Sequence, residues 1–187
     1  MDAHRKDDSV IRELRRFELA RRLIFHQVRT QTISKLTGLS RHRLATLRQR
    51  LMVPEDARHR GPPPCSLEVL LRTARGRTEG AALAALFPLF NKPTSAKPMT
   101  SLDEAEQLCE IYDAYLACYP QSQVQFEELM LLRKSVAKGD LIELKLCRLC
   151  KALIMNNRSD RYRRTCSHCD EGSEHEQIAE QSPASLG

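Results

Sequence analysis

The stretch 30-TQTISKLTGLSRHRLATLRQRL-51 holds two helical patterns with a turn between them. In the first, Ile33, Leu36 and Leu39 are apolar, Ser34 is small, and Gly38 stands where a tight turn is wanted. Ser40 suits the N-cap of the second helix. There Leu44, Leu47 and Leu51 recur at i, i+3 and i+7 and line one face. His42, Ala45, Thr46 and Gln49 lie opposite, flanked by Arg41, Arg43, Arg48 and Arg50. The spacing predicts a helix-turn-helix, whose second helix enters the major groove. Base edges there offer donors and acceptors, which calls for a polar face. The same pattern also suits two amphipathic helices joined by a Gly turn with no DNA partner, and the residues leave both readings open.

Toward the N-terminus, Ser9 can cap a helix in which Val10, Leu14, Phe17, Ala20 and Ile24 form one stripe. Arg12, Arg15, Arg16 and Arg22 fall on its other side. Residues 1–53 therefore read as an N-terminal helical, helix-turn-helix-like region. Toward the C-terminus, 54-PEDARHRGPPPCS-66 is a Pro-rich linker that cannot continue a helix. Residues 67–138 read as a helical core and partner-binding region. Leu67, Leu70, Leu71 and Ala74 suggest one helix after a Ser66 cap, and Ala81–Phe90 an apolar helix interrupted by Pro88. Residues 91–100 are loop. Ser101 and Glu104 form a capping box ahead of Leu108, Ile111, Tyr112, Tyr115 and Leu116, and Pro120 ends that helix. Phe126, Leu129, Met130, Arg133 and Val136 mark another, closed by Gly139.

From Leu141 the period changes to two: Ile142, Leu144 and Leu146 alternate with Glu143 and Lys145. This strand runs into 147-CRLCKALIMNNRSDRYRRTCSHC-169, in which Ala152–Met155 can form a second strand. Cys147, Cys150, Cys166 and Cys169 stand in the spacing C-x2-C-x15-C-x2-C, which reads as a zinc site in a ribbon-like hairpin. A redox pair needs one Cys-x-x-Cys on a thioredoxin-like unit, which the pattern lacks. Seven cysteines suit a closed disulfide set poorly. His168 offers a substitute ligand, although the turn favours Cys166 and Cys169. Four thiolates close the coordination sphere, so one structural Zn2+ is expected, without a catalytic water. Residues 139–172 thus form the four-cysteine zinc-binding region and 173–187 a flexible acidic tail. Cys65, Cys109 and Cys118 have no ligand-like spacing and are expected to be packed thiols.

Charge is unevenly spread. Residues 1–60 hold 15 Lys/Arg against 7 Asp/Glu, and the loop between the cysteine pairs adds Lys151, Arg158, Arg161, Arg163 and Arg164 against Asp160 alone. Two basic clusters are the footprint of a polyanion partner, and ordinary solvated arginines are the plainer reading. With no Trp and 5% aromatic residues, no base-stacking platform is visible. No apolar window reaches the length of a membrane span and no signal core follows the first residues, so a cytoplasmic protein without a membrane partner is expected. No acid–base or nucleophile constellation stands out, and a nuclease would need clustered Asp, Glu and His ligands, so an enzyme is not expected. The expected fold class is mainly α. It comprises a helical core, the N-terminal helix-turn-helix-like unit and a small C-terminal zinc-ribbon-like appendage built on the four cysteines.

Several segments together carry a resemblance: TGLSRHRLATLRQRL, RGPPP, YDAYLACYPQ, AKGDLIELKLC and the two cysteine pairs, in that order. Over nearly its whole length the chain resembles the FlhC family, the C subunit of the bacterial flagellar master transcriptional activator. It does so as a divergent member, without tryptophan and with an acidic tail. The resemblance implies a DNA-binding activator that works in a hetero-oligomer with an FlhD-like subunit, binds promoter DNA of flagellar operons and recruits RNA polymerase. It also implies a four-thiolate zinc site at Cys147, Cys150, Cys166 and Cys169. The alternative is a zinc-stapled redox-sensing or protein-interaction module without specific DNA binding.

Overall fold

The structure, a computed structural model, describes residues 2–54, 59–90, 100–139, 142–158, 165, 166, 168 and 169, with side chains from residue 8 onward. It is mainly helical. Helix α1 (Asp2–Phe25) is followed by α2 (Thr30–Thr37) and α3 (Arg41–Arg50). Then come α4 (Glu68–Arg72), α5 (Ala74–Phe90), α6 (Ser101–Cys118) and α7 (Phe126–Lys138). Strands β1 (Ile142–Leu146) and β2 (Leu153–Asn157) close the described chain as an antiparallel hairpin. The hairpin leads into the C-terminal four-cysteine cluster. No helix among the described residues is long and apolar enough to cross a membrane.

One apolar core runs from Leu19 of α1 to Met155 of β2. It takes in Ile33 of α2, Leu44 of α3, Leu83 of α5, Ile111 of α6 and Leu129 of α7. Helix α1 begins before Ser9, which lies inside it rather than at its cap. The residues ahead of Ser9 contain no Gly or Pro to stop the helix. Its expected apolar stripe is buried only in part. Ala20 and Ile24 are in the core with Leu19 and Leu23, whereas Val10 and Leu14 are exposed, along with Ile11.

The α2–α3 turn forms as the residues dictate. Gly38 takes left-handed backbone at φ 72° and donates its N–H to Ser34 O at 2.9 Å. Ser40 Oγ accepts the Arg43 N–H at 3.3 Å. Leu44 is fully buried, and Leu47 and Leu51 pack against the core.

The central region differs from expectation at three helix ends. Leu67–Ala74 is not one helix: α4 ends at Arg72, and Thr73 Oγ1 then accepts the Gly76 N–H at 2.9 Å to start α5. Helix α5 continues through Pro88 to Phe90, because in its last turn the proline removes only one backbone bond while Phe87 stays buried. The capping box of α6 is Thr100 with Asp103, not Ser101 with Glu104. Arg15 of α1 selects that register by bonding both Asp103 and Glu106. Gly139 closes α7 in left-handed backbone, and Cys118 ends α6 two residues before Pro120.

In the hairpin, Ile142 pairs with Asn157, Leu144 with Met155 and Leu146 with Leu153. Strand β2 therefore starts one residue later than expected and runs two further. Only Ile142 of the alternating β1 set is buried. The hairpin docks through β2 instead. Met155 is fully buried over Gly80 of α5, where a Cβ would lie 2.4 Å from Met155 Cε. The loop 91–99 and the tail 173–187 lie outside the described residues.

Candidate metal centre and nucleic-acid interface

Strand β1 delivers Cys147 to a tight turn. Its N–H donates to Ala152 O at 2.7 Å, and the Lys151 N–H returns to Cys147 O at 3.1 Å. Lys151 takes left-handed backbone at φ 63°, which folds Cys150 back toward Cys147. The second pair comes from the far side of the loop, and the four Sγ atoms of Cys147, Cys150, Cys166 and Cys169 lie within 4.8 Å of one another. Cys150 Sγ and Cys166 Sγ are 3.5 Å apart. A tetrahedron of thiolates about Zn2+, with bonds of about 2.3 Å, puts sulfurs about 3.8 Å apart. The donor set and its spacing therefore suit a metal ion with small adjustments.

The cluster is half sheltered: Cys147 and Cys166 are buried with Ile154, and Cys150 is exposed. The N–H groups of Cys150, Cys166 and Leu149 point at Cys147 Sγ and bring its thiol down to about 6, against the opposing effect of burial. Cys169 is pushed up to about 12, because it donates to the sulfurs of Cys150 and Cys166. His168 is exposed and outside the cluster. Of the remaining cysteines only Cys109 is packed; Cys65 and Cys118 are exposed, contrary to expectation, since neither sits on the buried face of its segment.

The residues expected to meet DNA divide into two kinds. Arg41, His42, Gln49 and Arg50 are exposed, and their side chains make no hydrogen bond or ion pair among the described residues. Thr46 lies half-buried between them, its hydroxyl donating only to His42 O within the same helix. Of these residues, Arg41, His42, Thr46 and Gln49 edge a groove of about 420 Å3, together with Ala45 and Thr30. Arg43 and Arg48 are committed within the protein. Arg43 pairs with Glu13 of α1, its guanidinium 4.9 Å from the Phe17 ring centre. Arg48 donates to Thr30 Oγ1 and, at 3.2 Å, to Val28 O, tying α3 to the turn that follows α1. Glu13, Phe17 and Thr30, which fix these arginines, are missed by reasoning from spacing, since each acts across two elements. In the loop between the cysteine pairs, Arg158 is exposed, and Arg161, Arg163 and Arg164 lie outside the described residues.

The fold and these two features define a mainly helical protein with a four-cysteine cluster able to hold a metal ion. Comparison with protein-family models and with curated proteins finds no match.

Proposed function

We propose that this chain is a DNA-binding transcriptional activator subunit in which α3 enters the major groove. The observation that carries the reading is the strip Arg41, His42, Thr46, Gln49 and Arg50. It is polar and has no hydrogen-bond or ion-pair partner outside its own helix among the described residues, and that helix's leucines and remaining arginines are used to fix its position. Gln49 can pair bidentately with adenine, Ala45 can meet a thymine methyl, and the arginines can bind phosphate or guanine. The four-cysteine cluster holds one structural Zn2+, which staples the basic loop 151–165 as a second phosphate-binding surface. The resemblance to the FlhC family extends the reading to an FlhD-like partner subunit, promoters of flagellar operons, RNA polymerase and a bacterial cytoplasm. The exposed apolar side chains Val10, Ile11 and Leu14 on α1 support a partner subunit.

The test is selection from random duplexes by the chain co-expressed with an FlhD-like subunit, then salt-titrated binding of wild type and Gln49→Ala. On the selected site Gln49→Ala should cost about 1–3 kcal/mol, and much less on a scrambled duplex. Equal loss on both duplexes, or none on either, rejects α3 as the reading helix.

A further inference from the structure

We propose that His26, Cys109 and Asp113 form a second Zn2+ site, in the seam between α1 and α6 and separate from the four-cysteine cluster. The inference does not depend on the DNA-binding reading. One donor atom from each residue lies within 4.8 Å of the other two. Cys109 and Asp113 stand four residues apart on α6, so both face the same way, and His26 arrives from just past the end of α1. Imidazole, thiolate and carboxylate together are a donor set of Zn2+ rather than of Mg2+ or Ca2+, which favour oxygen alone.

The surroundings suit a ligand set. Asp113 Oδ1 meets His26 Nε2 at 2.6 Å, while its Oδ2 is held by Arg22. That leaves Oδ1 for a metal with Oδ2 still anchored, the outer support that ligating carboxylates usually have. Tyr112 packs edge-on against His26, ring centres 5.0 Å apart, and fixes the imidazole plane. Placing a metal between Nε2 and Oδ1 requires that pair to open by about 0.7 Å, to the tetrahedral edge for bonds of about 2.0–2.1 Å. The Cys109 thiol proton leaves to solvent as the sulfur binds, and the imidazole proton moves from Nε2 to Nδ1. Burial pushes the Cys109 thiol up to about 12, with Asp113, Glu110 and Glu18 adding to the rise and Arg22 opposing it, so the thiolate forms only as a metal displaces the proton. His26 also lines a cavity of about 520 Å3 with Tyr112 and Leu116. The Asp113 side chain is 42% exposed, so solvent reaches the seam and can bring in the ion and fill the fourth position, which three protein ligands leave open.

The test adds Co2+ to full-length protein carrying one zinc per chain, which fills the four-cysteine cluster and leaves the three-ligand seam open, and follows absorption. Cobalt at this site should give a thiolate-to-metal band about one quarter as strong as that of a four-thiolate cobalt centre, since one sulfur is bound. Cys109→Ser should abolish the band. Asp113→Asn and His26→Gln should weaken cobalt binding at least about tenfold, with circular dichroism confirming that each variant is folded. If Cys109→Ser does not fold, the other two variants decide. No band in wild type at millimolar Co2+, a band that survives Cys109→Ser, or unchanged affinity in both His26→Gln and Asp113→Asn overturns the site.

Discussion

Replacing Arg48 by Ala should weaken the fold more than it weakens phosphate binding. The guanidinium donates to Thr30 Oγ1 and to Val28 O, and Val28 is fully buried at the bend between α1 and α2. Removing it leaves a hydroxyl and a carbonyl without that donor. Hydrogen bonds from a charged group contribute about 1.5–3 kcal/mol each, and water reaching the half-buried rim restores part of the loss. A cost of about 2 kcal/mol follows for the pair. In urea, with a slope of about 2 kcal/mol per molar, the midpoint should fall by about 1 M. Arg48→Lys should recover about half, because a single ammonium cannot span both acceptors as the planar fork does. DNA binding gives the second readout. A lost phosphate contact lowers the log–log salt slope by about 0.9. Arg41→Ala and Arg50→Ala should each show that drop with little change in urea midpoint, and Arg48→Ala should keep the wild-type slope. An Arg48→Ala protein with an unchanged midpoint and a slope lowered by about 0.9 would refute the reasoning and return Arg48 to the DNA-contacting set.

Metal removal should reach beyond the cysteines. Because Met155 is seated over Gly80, chelation or Cys147→Ser should speed amide exchange in β1 and β2 and then in the middle of α5; exchange that rises only at 147–150 would show the hairpin holding without metal. Acid should act at the start of α6. Hydrogen bonds from Arg15, and then from Thr100, hold the Asp103 carboxyl well below the usual carboxylate range. A depressed carboxyl stabilises fully above its unfolded value and loses that contribution as pH falls below it, so acid unfolding below about pH 4 should be less steep in Asp103→Asn. Equal steepness in the two proteins would rule out Asp103 as a contributor.

What the sequence could show depended on how far apart the deciding residues stand. The Ser40 cap, the left-handed Gly38 and Gly139, and the Cys147–Cys150 turn are each settled within about five residues, and the backbone adopts them as read. The start of α6 shows where that reach ends. Thr100-x-x-Asp103 and Ser101-x-x-Glu104 are both adequate boxes, offset by one residue, and local chemistry does not separate them. Arg15, on another helix, does so by bonding Asp103. The arginines of α3 follow the same rule. Four of them lie along one helix in the sequence, yet Thr30 and Val28 hold Arg48 and Glu13 holds Arg43 in a surface pair, while Arg41 and Arg50 have no partner among the described residues. A count of basic residues therefore overstates the arginines without a partner by Arg43 and Arg48, although Arg43 stays exposed. The seam site is the extreme case: Cys109-x-x-x-Asp113 is an ordinary helical spacing, and only the fold brings His26 to it. Spacing rules find ligands that share a turn, as in the Cys-x-x-Cys pairs. Ligands that meet only when two helices pack leave no local period, so a search for them has to begin from the packed α1–α6 interface.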